Sequence, residues 1–419
     1  MTWRYHALRL PDRTWISRGL PLRDVRLSPA VSGPYRLTAT LDPDRADLLD
    51  ADGEPLIQEH STLILAEADG VVRGGGIVTA APATGPTMEI TATGFTGHAA
   101  GQPLMSTHTW GGSVAGTTGN GVDPLTVVRA LWDHLQAQPN GDLGVTYEAT
   151  TTPFRLGSWF NARRLPTEAE PNPPANEVEP EIPINKVWTN SDTKPAAASG
   201  KIVYWRYELA HWDNVDIGGT VDELARTVPF DYREHYAWDG SGPDGKGGVA
   251  LRLDFGYPRL GAYRPALRFV EGENVTEVVT VDRDGADYAN VVVARGAGEG
   301  SKQLVQTASV PDGRLRRAVT IERSDITSAS ALRAAATQEL MRRSTLTDIT
   351  GFTVDASHPH APIGSFAPGD DVLVRTRTGW RRATAIRVRI TGFDYEPGSA
   401  RITVTCSRSD GFDYSGGGT

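Results

Sequence analysis

Residues Asp239 to Gly248, DGSGPDGKGG, place four residues between Gly240 and Gly245-Lys246, nearly the spacing of a phosphate-binding loop. Such a loop works because a strand feeds a glycine-rich turn with a helix directly behind it. The turn amides and the helix N-terminus converge on the phosphates, and a Ser or Thr after the lysine holds magnesium. Here Gly247 follows Lys246, so that hydroxyl is missing. Beyond it Val249, Leu251, Leu253 and Phe255 alternate with Ala250, Arg252 and Asp254. Period two predicts a half-buried strand and no helix. The stretch is expected to be the flexible tip of a long hairpin. GAGEGS at Gly296 to Ser301 follows the strand-like ANVVVAR but lacks the last glycine of a dinucleotide fingerprint, and KQLVQTASV after it reads as extended. Both are turns.

Other reactive groups are equally short of partners. His358-Pro359-His360 could bring two imidazoles to one metal, but zinc or iron needs a further ligand, and no HExxH or CxxC supplies it. The single cysteine, Cys406, lies in RITVTC with Ile402 and Val404 on the same face, which predicts a buried structural thiol and no disulfide. Asp370-Asp371 is a candidate acid pair for glycoside cleavage, yet neighbours on a strand point to opposite faces. GGSVAG lacks the spacing of a nucleophile elbow. No catalytic, cofactor-binding or metal-binding residue is therefore assigned, and no enzyme activity or cofactor is expected. Trp205, Trp212 and Trp238 could stack on sugar rings, so a cell-envelope glycan-binding β module is the alternative reading, with a tail-associated cell-wall hydrolase behind it.

The surrounding elements are mostly strands. The chain has 419 residues, 45 glycines, 28 prolines and a net charge of −9, a composition of many strands and turns whose acidic surface repels nucleic acid. No apolar run is long enough to span a membrane and the N-terminus has no signal-peptide character. Residues 1–103 read as an N-terminal β-barrel-like unit: YRLTATL, STLILAEA and TMEITATGF are extended, Asp69-Gly70 marks a hairpin, and DPDRADLL reads as one helical turn capped by Asp42. Residues 104–282 read as a middle α+β domain. Its main helix is capped by Asp123, begins at Pro124, carries a stripe of Leu125, Val128, Trp132 and Leu135, and ends before Pro139-Asn140-Gly141. Residues 166–183 hold six prolines, five glutamates and no basic residue, the mark of a solvated loop over about 160–200. KIVYWRYEL resumes strand character, and GGTVDELARTVP carries a capping box of Thr220 with Glu223. Residues 283–414 read as a second β-barrel-like unit interrupted by a helix at about 328–343, in which Leu332, Ala336 and Leu340 recur at spacing four; residues 415–419 form a flexible tail.

The two ends echo each other. STLILAEADGVVRGGGIVTA aligns with GDDVLVRTRTGWRRATAIRVRI so that Leu63 falls on Val372, Leu65 on Val374, Gly70 on Gly379 and Ile77 on Ile386; Ile90 then matches Ile402. Two similar β units per chain, in a trimer, would present six similar units around an axis.

That organisation, with SGPYRLTATLDPD, GGGIVTAA, ATGFTGHAAGQP, FDYREHYAWDG, LRLDFGYPRLG, RFVEGENV, DYANVVVARGAGEG, HPHAPIGSFAPGDDVLV and RSDGF, resembles the minor tail proteins of long-tailed phages infecting actinobacteria. More broadly it is similar to the siphophage tail-tip or baseplate-hub, tail-associated family. The quoted segments cover most of the chain outside the acidic insert. The resemblance implies a mainly β fold with two barrel-like tube domains and a middle α+β portion. It also implies a homotrimeric virion protein at the tail tip, adapting a hexameric tube to threefold components. Its partners would be the distal tail protein or tail tube and a fibre, spike or other minor tail protein. Tape-measure protein and DNA would pass through the lumen without sequence-specific binding.

Overall fold

The computed structural model describes residues 2–110, 121–162, 178–180, 186–189, 201–344 and 349–414, except positions 11, 45, 46, 206, 229, 243, 244, 280, 282–284, 286, 299, 325, 327, 328, 379, 380, 410, 411 and 413. GGSVAG, most of the acidic insert and residues 415–419 lie outside the described residues.

The N-terminal stretch forms β1 (Trp3–Arg9), β2 (Thr14–Ser17), β3 (Arg23–Ser28), β4 (Arg36–Leu41), β5 (Thr62–Ala68), β6 (Val71–Ala80), β7 (Ala83–Thr84) and β8 (Thr87–Thr93). β4 and β8 alternate buried and exposed positions, as half-buried strands must, whereas β5 is buried at every residue. Asp69 and Gly70 both have positive φ and turn β5 back into β6, the hairpin expected there. Residues 42–48 correct the helical reading: the described ones form turns, with the Leu48 amide donating to the Pro43 carbonyl.

The middle stretch contains α1 (Phe95–His98), β9 (His108–Trp110), α2 (Pro124–Gln136), β10 (Val145–Tyr147), β11 (Phe154–Ala162), β12 (Val178–Pro180), β13 (Lys186–Thr189), β14 (Lys201–Trp205), β15 (Tyr207–Leu209), α3 (Ile217–Thr227), β16 (Asp231–Trp238) and β17 (Val249–Gly256). The Asp123 side chain accepts from the Leu125 amide, and Leu125, Val128, Trp132 and Leu135 are all buried. Two results differ from expectation. β12 and β13, inside the stretch read as solvated loop, pair with β11; Val178, Val187 and Trp188 are strand-forming residues that the acidic composition masked. α3 begins a turn earlier than the Thr220 capping box, because Asp216 is its cap and accepts from Gly218 N at 3.1 Å; Thr220 Oγ1 instead donates back to the Asp216 carbonyl.

The C-terminal stretch adds β18 (Phe269–Val270), β19 (Val291–Arg295), β20 (Val305–Ser309), β21 (Ala318–Glu322), α4 (Ala329–Arg343), β22 (Gly351–Asp355), β23 (Asp371–Thr378), β24 (Arg381–Glu396) and β25 (Arg401–Arg408). β19, β20 and β21 form their own small sheet, and Val292, Ala294, Leu332, Ala336 and Leu340 make a core separate from the main one.

The mainly β fold with α+β portions is the class expected. Neither end unit closes into a barrel, because the two share one open sheet running β18-β23-β24-β3-β4-β8-β6-β5-β1-β2. β24 joins them. Near Val388 it pairs with β23 on one edge and β25 on the other; further on, Tyr395 pairs with Leu27 of β3 while Ile402 of β25 lies opposite. At 16 residues it is long enough to serve both neighbours in succession. The echo is real in register but not in length: Leu63 pairs with Ile77, whereas Val372 pairs with Val388 rather than Ile386. The second hairpin is thus two residues longer, an even number that keeps each side chain on its face. Both units carry a bulge in the second strand against the third, between Val78 and Ala80 and between Ile390 and Gly392.

Candidate functional site

Lys246 is not left for a phosphate. Its Nζ donates to Glu67 Oε1 at 2.8 Å and stands 5.3 Å from the centre of the Trp238 ring, while Glu67 Oε2 lies 2.8 Å from His6 Nε2. Trp15 Nε1 donates to the Gly247 carbonyl at 3.0 Å and Arg18 to that of Lys246 at 2.8 Å. Asp239 holds the hairpin from within, accepting from the amides of Ser241 and Gly248. The described part of the hairpin is therefore docked on β1, β2 and β5 rather than free, which corrects the flexible-tip reading. Burial alone would raise the Glu67 pKa; hydrogen bonds from Lys246 and His6 outweigh it and leave the carboxyl below the ordinary glutamate range.

A second fastening lies further back along the same face of β16, at Glu234 and Tyr236. Glu234 Oε1 accepts from the Thr96 amide at 2.7 Å, and Oε2 accepts from Tyr236 Oη at 2.7 Å and the Tyr35 amide at 3.3 Å. Burial dominates here and raises the carboxyl pKa despite these donors. The glycines explain the closeness. A Cβ on Gly94 would stand 1.9 Å from Glu234 Oε2, and one on Gly74 would stand 2.1 Å from the Tyr35 ring.

The acidic pair at the start of β23 is structural. Asp370 accepts from Ala262 N at 2.8 Å and Arg264 Nε at 3.0 Å; Asp371 pairs with Arg387 at 2.9 Å and accepts from Tyr414 Oη at 3.1 Å. The two carboxylates thus serve different partners. Arg389 ties β24 to Asp231 of β16, whose carboxylate also accepts the Leu260 amide. Cys406 is buried, as expected, with its thiol donating to the Ile349 carbonyl at 2.9 Å. Of the three tryptophans, Trp238 belongs to the Lys246 cluster and Trp212 is 67% exposed beside His211, while the Trp205 side chain lies outside the described residues.

One grouping escaped the sequence reading. His358 and His360, with ring centroids 4.8 Å apart, are joined by Glu273 from the turn after β18, and His360 Nδ1 stands 2.6 Å from Glu273 Oε1. A ligand atom from each of the three lies within 4.8 Å of the others. Glu273 is more than eighty residues away in sequence, so no local motif could have signalled it. A different imidazole pair, His108 and His134, has its nitrogens 3.1 Å apart, but His134 Nε2 already accepts the Met105 amide at 3.0 Å.

With the geometry in view, comparison with solved folds is informative. A 43 kDa prophage MuSo2 tail protein from Shewanella oneidensis superposes with a TM-score of 0.52 at 10% identity, over 98% of this chain and 100% of that one. The prophage tail protein gp18 from Listeria monocytogenes EGD-e gives 0.53 at 10% identity, over 98% and 95%. The chain shares its overall fold with these two prophage tail proteins. At that identity the likeness is one of fold, and it runs through the whole tail-protein chain rather than one unit. No protein-family model matches the sequence, and no curated protein does. Among the described residues, no helix is long and apolar enough to cross a membrane.

Proposed function

We propose that the chain is a structural component of a phage tail, acting as a trimeric hub at the tail tip. The observation that carries this reading is the end-to-end likeness to two solved prophage tail proteins, with almost no part of either chain left over. The resemblance of the quoted segments to actinobacterial siphophage minor tail proteins points to the same place in the virion. In this reading residues 1–103 and 283–414 supply two tube units per chain and residues 104–282 the portion between them. Three copies then offer six units to a hexameric tube and three faces to fibre, spike or other tip components. The duplicated hairpin with its matching bulge supports the pseudo-sixfold arrangement. The open end of the main sheet at β2 is an edge that assembly would cover. The role is structural rather than catalytic: Lys246, Asp370, Asp371 and Cys406 each hold parts of the fold together. The net charge of −9 suits a lumen through which DNA and tape-measure protein slide.

Negative-stain class averages and light scattering of the concentrated chain test this. A three-fold particle with an open, near-hexagonal centre is expected, alone or once tail-tube protein is added. A chain that stays monomeric and forms no ring with its tube protein would overturn the hub.

A further inference from the structure

We propose that Glu273, His358 and His360 form a binding site for a divalent transition-metal ion of the zinc class. The donor set is two imidazoles and a carboxylate, which zinc accepts and which leaves at least one coordination position for water.

Both supporting loops are braced independently of any ion. On the histidine side, Asp355 Oδ1 accepts from the Ser357 amide at 2.9 Å, the His358 amide donates to the Asp355 carbonyl, and Ala361 donates to that of His358. Pro359 between the imidazoles restricts the backbone further. On the carboxylate side, the Glu273 amide donates to the Val270 carbonyl at 3.0 Å. The buried Asn274 beside it accepts from Val270 N at 2.9 Å and donates to the Arg268 carbonyl at 2.7 Å. The Arg268 amide then reaches the His360 carbonyl at 3.4 Å, linking the two loops. Ligands held this way lose little freedom on binding.

The second observation is the state of His360 Nδ1. It is shielded from solvent and makes no hydrogen bond, although Glu273 Oε1 is only 2.6 Å away. An imidazole facing a carboxylate ordinarily carries a proton on that nitrogen and donates it; here the pair is close but no aligned hydrogen bond forms, which leaves place for a cation beside them. A proton would satisfy them as a simple ion pair; the approach of His358 supplies the third ligand that a metal needs and a proton does not. Bound there, the ion would strap the loop after β22 to the turn after β18, at the margin of the main sheet. This inference does not depend on the tail-hub reading, and its test is independent of oligomeric state.

The full chain, stripped with EDTA and exchanged into chelator-free buffer, is titrated with Zn²⁺ by calorimetry and with Co²⁺ by visible absorption. About one ion per chain is expected, with cobalt giving the intense absorption of a low-coordinate nitrogen and oxygen site. His358→Ala and His360→Ala should each weaken binding at least about 100-fold, the upper end of what loss of an outer partner alone costs. Glu273→Gln should weaken it by at least about tenfold, with circular dichroism unchanged in all three. Absence of stoichiometric binding overturns the site. So does binding that all three variants retain, or binding abolished instead by His108→Ala, which would assign the ion to the other imidazole pair.

Discussion

The Lys246 amine is shared between the Glu67 carboxylate and the Trp238 face, and that carboxylate is almost wholly buried. Lys246→Ala should therefore cost about 1.5–3 kcal/mol, the range for a hydrogen bond to a charged group, read from the midpoint of denaturant unfolding. Glu67 also sets a pH dependence. Its folded-state pKa is depressed, so its stabilisation is complete above the ordinary glutamate range and is lost as pH falls through the folded-state value. Melting temperatures of the parent and Glu67→Gln should differ by a constant amount near neutrality and converge only as pH falls below the ordinary glutamate value of about 4.3, through the lower folded-state value. A gap that stays constant through that fall would remove the linkage. Gly94→Ala is a steric counterpart: its methyl would overlap Glu234, for a loss of about 1–3 kcal/mol or more. At this scale the residue types were legible and their partners were not. Lys246 stood out for its glycine-flanked spacing, but nothing local could disclose a partner 179 residues away.

Elements were read most securely where periodicity and capping chemistry agreed. α2 combined an Asp cap, a first-turn proline and one apolar stripe, and all three hold. α3 shows the limit of a local pattern. Thr220 and Glu223 have capping-box spacing, yet Asp216 lies one turn earlier and also accepts the Gly101 amide at 2.9 Å, so tertiary contact decided which residue starts the helix. Asp216→Ala should lower stability by about 1 kcal/mol, as loss of a cap does, while Thr220→Ala should cost less than half of that. Thermal unfolding of the two variants side by side decides it, and the reverse order would restore the capping box. The strands β12 and β13 were hidden for a different reason. Averaged composition described the acidic residues around them and passed over short apolar segments that needed β11 as a template.

For the whole molecule, hydrophobic alternation predicted two β units but carried no information on whether each closes upon itself. Closure depends on strand length and bending, and β24 settles it by pairing with β23 and then β3 along one edge. The resulting sheet shares a single core with the middle portion, from Ala7 through Trp132 to Val404, and the Lys246, Glu234 and Arg389 contacts fasten its parts together. β19, β20, β21 and α4 stand apart from this. Their core rests on five fully or nearly buried side chains, and β20 and β21 show no buried position along their length. A lobe with so few internal contacts should open at a lower free energy than the main sheet. Native-state hydrogen exchange of the full chain should therefore release the amides of Val291–Arg295 and of the buried face of α4 well before those of β5 and β6. If both sets exchanged only through one global opening, the small core would have to be energetically continuous with the large one. Protection of the lobe that rises only on assembly would instead identify it as a surface completed by a neighbouring subunit.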